Sequence, residues 1–398
     1  MVNVGARVLG NKFPLLVKAA DKIMALTNLA LELSMKAFSI ICAAIFLCAA
    51  PARAEITIGM VGPLTGPYAI FGEQMKRGAE QAAADINRSG GINGEKIILR
   101  IGDDACDPKQ AVTVANQMAS AGVKFVVGHY CSGSAIPASK VYMEEGMLYI
   151  TPAATNPKLT DDGKDVIFRV CGRDDRQGVV DANYILKHFA GKKVAIAQDE
   201  SAYGKGLADQ VKKTLNAAGM KEVLFEAYTP GERDYSALVS RLKHANTQVL
   251  FIGGYHTEAG LIARQLKEQG APIQIVGGDA LVTDELWKIA GPAAEGLLMS
   301  FGPDPRLQPE AKDLLIALRK SGYEPEGYTF YTYAALQALT EAIKRVGATD
   351  THKIAASLRA SPAQTVLGAL SFDAKGDVTG PVYVMYRWHD GKYAEVRE

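Results

Sequence analysis

The feature that most constrains the fold is an alternation: short apolar runs bounded by glycine, each followed by a longer amphipathic stretch. The runs are ITIGMVG (56–62), KIILRIGD (96–103), VKFVVGH (123–129), LYITPA (148–153), VIFRVCG (166–172), KKVAIAQD (192–199), VLFEAYT (223–229), QVLFIGG (248–254), IQIVGG (273–278) and GLLMSFG (296–302). Between them lie helical patterns such as EQMKRGAEQAAADINRSG (73–90), with apolar or small residues at helical spacing and a stop at Gly90-Gly91. Near-continuous apolar runs of this length suit strands buried on both faces. Strands alternating with helices imply parallel sheets covered on both sides. The expected class is α/β.

The pattern repeats weakly. IGMVGPLTGPYAIFGEQMKRGAEQAAADINRSGG resembles AIAQDESAYGKGLADQVKKTLNAAG: a strand, an aromatic-glycine pair (Phe71-Gly72, Tyr203-Gly204), then a helix. DPKQAVTVANQMASAGVKFVVGHYCS resembles DYSALVSRLKHANTQVLFIGGYHT, with an Asp opening each helix as an N-cap candidate. Two such halves suggest two similar α/β lobes; a single large sheet is the alternative.

The first 54 residues read as separate from this pattern. Met35-Lys36 opens AFSIICAAIFLCAA, followed by Pro51 and Ala52-Arg53-Ala54. A positive start, an apolar run and a small-residue cleavage site spell a secretory signal peptide over 35–54. The run is shorter than the ~20 apolar residues that span a bilayer. The alternatives are a membrane anchor, or a lipid anchor at Cys48, which Phe46-Leu47 argue against. Residues 1–34 then form an upstream leader that does not belong to the native start. With six basic and two acidic residues set aside in the leader, 55–398 carries a net charge of −3. That balance excludes a strongly basic nucleic-acid binder. Of the five cysteines, Cys106, Cys131 and Cys171 stay in the exported chain, where pairing is allowed. An odd count leaves one thiol over, and spacing alone does not choose the pair.

In parallel sheets, ligands bind outside the carboxyl ends of the strands. Here those ends carry Cys131-Ser132-Gly133-Ser134, where hydroxyls meet a helix start suited to an anion. Each serine taken alone is as well explained as a helix cap. Ala153-Ala154-Thr155-Asn156 offers carbonyls, a hydroxyl and amides, and Asp279 ends IQIVGGD as a cation acceptor or a turn residue. Phe71, Tyr130, Tyr203 and Tyr255 each lie just beyond a strand, placed to wall an apolar pocket. Four rings at equivalent positions, with an anion site and an acid, suggest a small zwitterion bearing a side chain. Signatures of catalysis are missing: GxxxxGK[ST], HExxH, GxSxG and CxxC do not occur, and Gly204-Lys205-Gly206 lacks the third glycine of a dinucleotide loop. The six histidines show no metal-ligand spacing, and His129 and His256 read as structural or rim residues. Asp161-Asp162 and Asp174-Asp175 read as solvated turns and helix starts. No enzyme, cofactor, metal or nucleic-acid partner is therefore expected.

GHYCSGS, ITPAATNPKLT, ADINRSGGINGEKI, DDACDPKQAV, SAYGKGLA, GGYHTEAG and FYTYAALQAL, in this order, resemble the leucine/isoleucine/valine-binding proteins of bacterial ABC uptake systems over essentially all of 55–398. The resemblance implies a type I periplasmic-binding-protein fold, two doubly wound lobes joined by three crossovers. Lobe 1 would be 55–173 with 302–380, and lobe 2 would be 174–301 with 381–398. It implies a monomer in the periplasm that binds branched-chain aliphatic amino acids and delivers them to permease membrane subunits. Residue by residue, Ser132 and Thr155 would hold the ligand carboxylate. The Ala153 carbonyl, Thr155 and Asp279 would receive its ammonium. Tyr203 and Tyr255 would close the site from the other lobe, and Phe71, Tyr130 and Cys131, with Tyr328 beside them, would line the side-chain pocket. The family pairing would be Cys106–Cys131, leaving Cys171 free.

Two departures stand out. Asp279 occupies a position where several relatives have glutamate, and Phe71 replaces a tyrosine or tryptophan. A broader amino-acid range, aromatic acids or amides are thus the alternative ligands, and Asp279 argues against any ligand without an ammonium. A dehydrogenase-like enzyme lacks its phosphate loop, and a sensory receptor domain would need an attached span or DNA-binding segment.

Overall fold

The computed structural model describes residues 13–48, 55–380 and 383–397. A first unit, up to Ala54, contains one helix, α1 (Phe13–Cys48), which runs through the junction between the upstream leader and the expected signal peptide. The expected cleavage site at 52–54 lies outside the described residues. Among the described residues no helix is long and apolar enough to cross a membrane.

The second unit, Glu55–Glu398, holds the alternating pattern. Its first half runs β1 (Glu55–Gly62), α2 (Ala69–Arg88), β2 (Lys96–Asp103), α3 (Pro108–Ser120), β3 (Phe125–Gly128), α4 (Ser132–Glu144), β4 (Leu148–Thr151), α5 (Lys158–Asp161) and β5 (Ile167–Arg169). The strands form one parallel sheet in the order β2-β1-β3-β4-β5. The second half runs α6 (Asp174–His188), β6 (Val194–Gln198), α7 (Ala202–Ala217), β7 (Leu224–Ala227), α8 (Ser236–His244), β8 (Val249–Gly253), α9 (His256–Glu268), β9 (Gln274–Gly277), α10 (Asp284–Ala290) and β10 (Leu298–Phe301). Its parallel strands lie in the order β7-β6-β8-β9-β10, the same winding as the first sheet. The weak sequence repeat is therefore a repeat of topology.

Central strands β3, β4, β6, β8 and β10 are buried at every position, as their unbroken apolar sequences require. The edge strands differ: β2 buries only Ile97 fully and exposes Lys96, Ile98, Arg100 and Ile101, and β7 is only half-buried. Asp107 caps α3 by accepting from the Gln110 amide at 2.7 Å, as the repeat suggests. In the second copy Tyr235, not Asp234, is the N-cap residue of α8.

After β10 the chain returns toward the first sheet through α11 (Lys312–Lys320) and α12 (Gly327–Val346). Helix α12 packs on α2, β3 and β4 and carries a nearly unbroken buried face. α13 (Thr351–Ala360) and the hairpin β11 (Ala363–Thr365) and β12 (Gly368–Leu370) pack on α12. The tail then crosses again to the second sheet. There β13 (Val384–His389) pairs antiparallel with β10, and β14 (Lys392–Glu395) pairs antiparallel with β13. The second sheet is thus mixed, with seven strands against five. The chain crosses between the two lobes three times: this is the type I periplasmic-binding-protein fold.

Candidate functional site

The carboxyl ends of the strands in both sheets meet at one small, tightly closed cavity, lined by Tyr130, Ser132, Ala153, Thr155, Tyr203, Tyr255, Asp279, Ala280 and Tyr328. Every lining residue is at most 5% exposed, so the walls are shut over it. From the first lobe, Tyr130 and Ser132 follow β3, and Ala153 and Thr155 follow β4. From the second, Tyr203 sits in the first turn of α7, Tyr255 follows β8, and Asp279 and Ala280 follow β9. Tyr328 comes from the first turn of α12.

The first-lobe wall is built by bonds that fix its backbone. Gly128 adopts φ +151°, where a Cβ would sit 2.0 Å from the Val61 carbonyl, so only glycine lets β3 end and turn here. Cys131, at the N-cap of α4, is joined to Cys106, with Cα atoms 5.5 Å apart. The 152–156 loop is held from both sides. Thr151 Oγ accepts from the amides of Ala153 (3.2 Å) and Ala154 (2.9 Å). The fully buried Arg169 donates to the carbonyls of Ala154 (2.9 Å) and Asn156 (3.2 Å) and to the Thr160 hydroxyl (2.8 Å). Its charge is balanced by Asp377 at 2.8 Å. The Asn156 amide donates to Ser132 Oγ at 3.2 Å, tying the two hydroxyl-bearing segments together.

The second-lobe wall is organised around Asp279. Its carboxylate accepts from the hydroxyls of Tyr203 (2.8 Å) and Tyr328 (2.5 Å). No cation pairs with it among the described residues. Burial pushes its pKa up, opposed by the hydrogen bonds from Tyr328 and Tyr203 and by the neighbouring Gln177 amide. Burial, reinforced by the Asp279 charge, holds Tyr203 and Tyr328 far above the usual phenol range, so both stay donors. Gly278 permits the approach, because a Cβ there would lie 2.5 Å from the Tyr203 hydroxyl.

Rings close the cavity. Phe71 stacks on Tyr130 at 4.3 Å and meets Tyr328 edge-on at 5.7 Å. Tyr255 lies 4.3 Å from Tyr68, 6.0 Å from Tyr130 and 5.2 Å from Tyr203, joining rings of both lobes. The Tyr130 hydroxyl, which borders the cavity, has no hydrogen-bond partner among the described residues. Asn156 Nδ2 donates across the cleft to the Ala202 carbonyl at 2.6 Å.

Seven of the nine residues anticipated from sequence line the cavity together, with Tyr328 beside them. Phe71 lies one layer behind Tyr130, and Cys131 sits in the disulfide beneath it rather than on the wall. Cys171 is the buried free thiol, raised by burial. His129 is a fully buried structural residue between Asp104 (2.5 Å) and Tyr142 (2.8 Å). His256 is also buried and edge-on to Phe71; burial brings its pKa down to about 4. Asp174 starts α6 but is not solvated: it is 1% exposed because the interlobe crossover tucks it against Thr155 and Gly206. Sequence reasoning passed over Ala280, Arg169 and Asp377. Arg169 had a signal, a lone charge within the apolar run VIFRVCG. Asp377, 208 residues away, had none.

These features recur in proteins of known family. The sequence profile described as "Periplasmic binding protein" matches residues 55–392. The chain is 49% identical over 360 residues to a Leu/Ile/Val-binding protein homolog of Brucella melitensis, covering 89% of this chain and 97% of that one. It is 50% identical over 349 residues to an amino acid binding protein of Pseudomonas aeruginosa, covering 87% and 93%. Among solved structures it resembles a leucine binding protein of Thermotoga maritima (TM-score 0.80, 27% identity, 86% and 98% covered). It also resembles a branched-chain amino acid substrate binding protein of Streptococcus pneumoniae in complex with isoleucine (TM-score 0.79, 27% identity, 86% and 99% covered). The chain therefore belongs to the periplasmic binding protein family, among the homologues of the Leu/Ile/Val-binding proteins.

Proposed function

We propose that this protein is the solute-binding component of an ABC uptake system, taking a branched-chain aliphatic amino acid into the interlobe cavity and presenting it to permease subunits. The observation that carries the reading is Asp279, a buried carboxylate with two tyrosine donors and no cation among the described residues, across one cavity from Ser132 and Thr155. A free amino acid has two opposite charges, each costly to desolvate unless hydrogen-bonded. Ser132, Thr155 and the first amides of α4 meet the carboxylate, which also favours a helix N-terminus. Asp279, the Ala153 carbonyl and Thr155 meet the ammonium. The ring walls are then left to select the side chain.

Ligand contacts from the second lobe form only when the lobes close, so ligand shifts the open–closed equilibrium toward closed. What changes is conformation, not a covalent bond: the site binds and releases its ligand unchanged. On this reading residues 35–54 direct export to the periplasm and are removed, and the protein acts as a monomer. Calorimetric titration of the purified protein with each of the twenty amino acids tests it. Leucine, isoleucine and valine are expected to bind; binding by none of them refutes the assignment. Binding of an aromatic acid without an ammonium would refute the role given to Asp279.

A further inference from the structure

Glu326, at the N-cap of α12, does not cap its own helix. Its side chain is 8% exposed and turns inward, where four donors converge on it. Oε2 accepts from Gln74 Nε2 of α2 at 2.6 Å and from the Thr283 hydroxyl at 3.0 Å. Oε1 accepts from the Asp284 amide at 2.6 Å and from the Tyr393 hydroxyl of β14 at 3.4 Å. No cation pairs with it among the described residues. One carboxylate thus ties a helix of the first lobe to the start of α10 and the tail hairpin of the second.

Its place in the chain gives these bonds a consequence for the ligand site. Tyr328 lies two residues after Glu326, and its amide donates to Gln74 Oε1 at 3.3 Å, so Gln74 bridges both residues. Thr283 and Asp284 lie four and five residues after Asp279. Between them the chain is a tight 3-10 turn, in which the Val282 amide donates to the Asp279 carbonyl and the Thr283 amide to the Leu281 carbonyl. Thr283 Oγ also accepts from the Glu285 amide at 3.3 Å, which fixes the start of α10. Glu326 therefore anchors both segments that meet in the Tyr328–Asp279 hydrogen bond. We propose that Glu326 is the positioning residue for that pair, holding the acidic pole of the cavity in register with the aromatic wall of α12. This rests on Asp279 being the acceptor of the ligand ammonium.

Gln74 Nε2 and the Asp284 amide can only donate, and they face different oxygens, so the site demands an acceptor on both. Glu326→Gln turns one oxygen into an NH2 that faces donors in either orientation. Gln74 does not compensate by flipping, because its oxygen already accepts from Tyr328. Adding Gln74→Glu restores acceptors: the carboxylate introduced on α2 accepts from the NH2 introduced at position 326 and keeps the Tyr328 amide.

The test measures leucine affinity by calorimetry for wild type, Glu326→Gln, Glu326→Gln/Gln74→Glu and the milder Thr283→Val, with amide hydrogen exchange over 279–284 and 326–330 in the ligand-free proteins. We expect about a tenfold loss of affinity and faster exchange in both segments for Glu326→Gln. The double variant should return to within about threefold of wild type, and Thr283→Val should lie between. Wild-type affinity and exchange in Glu326→Gln would overturn the proposal. So would a double variant whose exchange stays fast while its melting temperature recovers. If Glu326→Gln does not fold, Thr283→Val carries the same comparison, and unchanged affinity and exchange there would overturn it. Should wild type bind no amino acid, the functional reading falls, and the exchange comparison still decides the role of Glu326.

Discussion

The two lobes share one strand order yet present chemically opposite surfaces to the cavity. At the end of β3 stand Tyr130 and Ser132; at the equivalent end of β8 stands Tyr255. At the end of β4 stands Thr155, a hydroxyl in a loop of fixed amides; at the equivalent end of β9 stands Asp279. The lobes also treat buried charge differently. The first gives its buried acids partners, Asp104 hydrogen-bonded to His129 and Asp377 ion-paired with Arg169 and Arg173. The second lobe's Asp174, Asp181 and Asp279 have no cation beside them among the described residues. On the proposed reading, one repeated architecture serves as a dipolar clamp, with a self-satisfied wall for the ligand's anion and an acid-rich wall short of positive charge.

Neutralising one pole puts this asymmetry under the greatest strain. Asp279→Asn keeps shape and one acceptor but removes the charge proposed to meet the ammonium. Losing one partner of a buried charge pair costs about 3–5 kcal/mol, so leucine affinity should fall at least about 100-fold. Ser132→Ala removes one hydroxyl from a wall that also uses backbone amides, and should cost about tenfold or less. Calorimetry on both variants checks the asymmetry; a larger loss at Ser132 would reverse the assignment of the poles.

The next effect belongs to the first lobe alone. Its wall is stapled by Cys106–Cys131, which closes a loop of about 26 residues, while the second lobe has no cysteine. The chain-entropy relation gives about 3.5 kcal/mol for that closure. Cys106→Ser/Cys131→Ser should lose about that much stability in denaturant unfolding. An unchanged midpoint would mean that the first wall is rigid without its staple.

Smaller still is Tyr203→Phe, which removes one of the two tyrosine donors to Asp279 and the acceptor of the Ala280 amide (3.3 Å). A hydrogen bond to a charged group contributes about 1.5–3 kcal/mol, and Tyr328 remains to hold the carboxylate. About a tenfold loss of leucine affinity is expected, again by calorimetry. A loss equal to that of Asp279→Asn would place the Tyr203 hydroxyl itself on the ligand.

What could be read from the chain beforehand follows the same division. Strands and helices were legible because burial on both faces leaves unbroken apolar runs, as in QVLFIGG and KKVAIAQD. Most cavity residues were legible because parallel sheets put them directly after those runs. The tail hairpin was missed although its turn signal is present: Asp390-Gly391, both at positive φ, joins His389 to Lys392 across a two-residue loop. Its strands alternate and sit at a sheet edge, so they lack the apolar signature used for the others. Arg169–Asp377 and Gln74–Glu326 were out of reach for a different reason. Each joins residues more than 200 positions apart, and no local pattern marks such a pairing. Asp174 was misjudged because an aspartate at a helix start normally faces water; only the crossover that packs α6 beneath Thr155 buries it.

That aspartate supplies a further test of the lobe comparison, one that works through pH. Burial pushes the Asp174 carboxyl up to about 8, opposed by the Thr155 hydroxyl and reinforced by the charge of Asp279. In the unfolded chain an aspartate titrates at ~3.9. Between these two values the native protein holds a proton that the unfolded chain has released, so stability falls as pH rises. The slope from this one group is at most about 1.4 kcal/mol per pH unit. Asp174→Asn, neutral throughout, should therefore melt closer to wild type at pH 5 and above it at pH 8. An ammonium seated at Asp279 places positive charge near Asp174 and draws its pKa down, so leucine should narrow the difference at pH 8. Scanning calorimetry at the two pH values, with and without leucine, makes the comparison. If Asp174→Asn instead melts below wild type at pH 8, the second lobe holds this carboxylate as a stabilised anion, and the contrast with the charge-paired first lobe fails at that position.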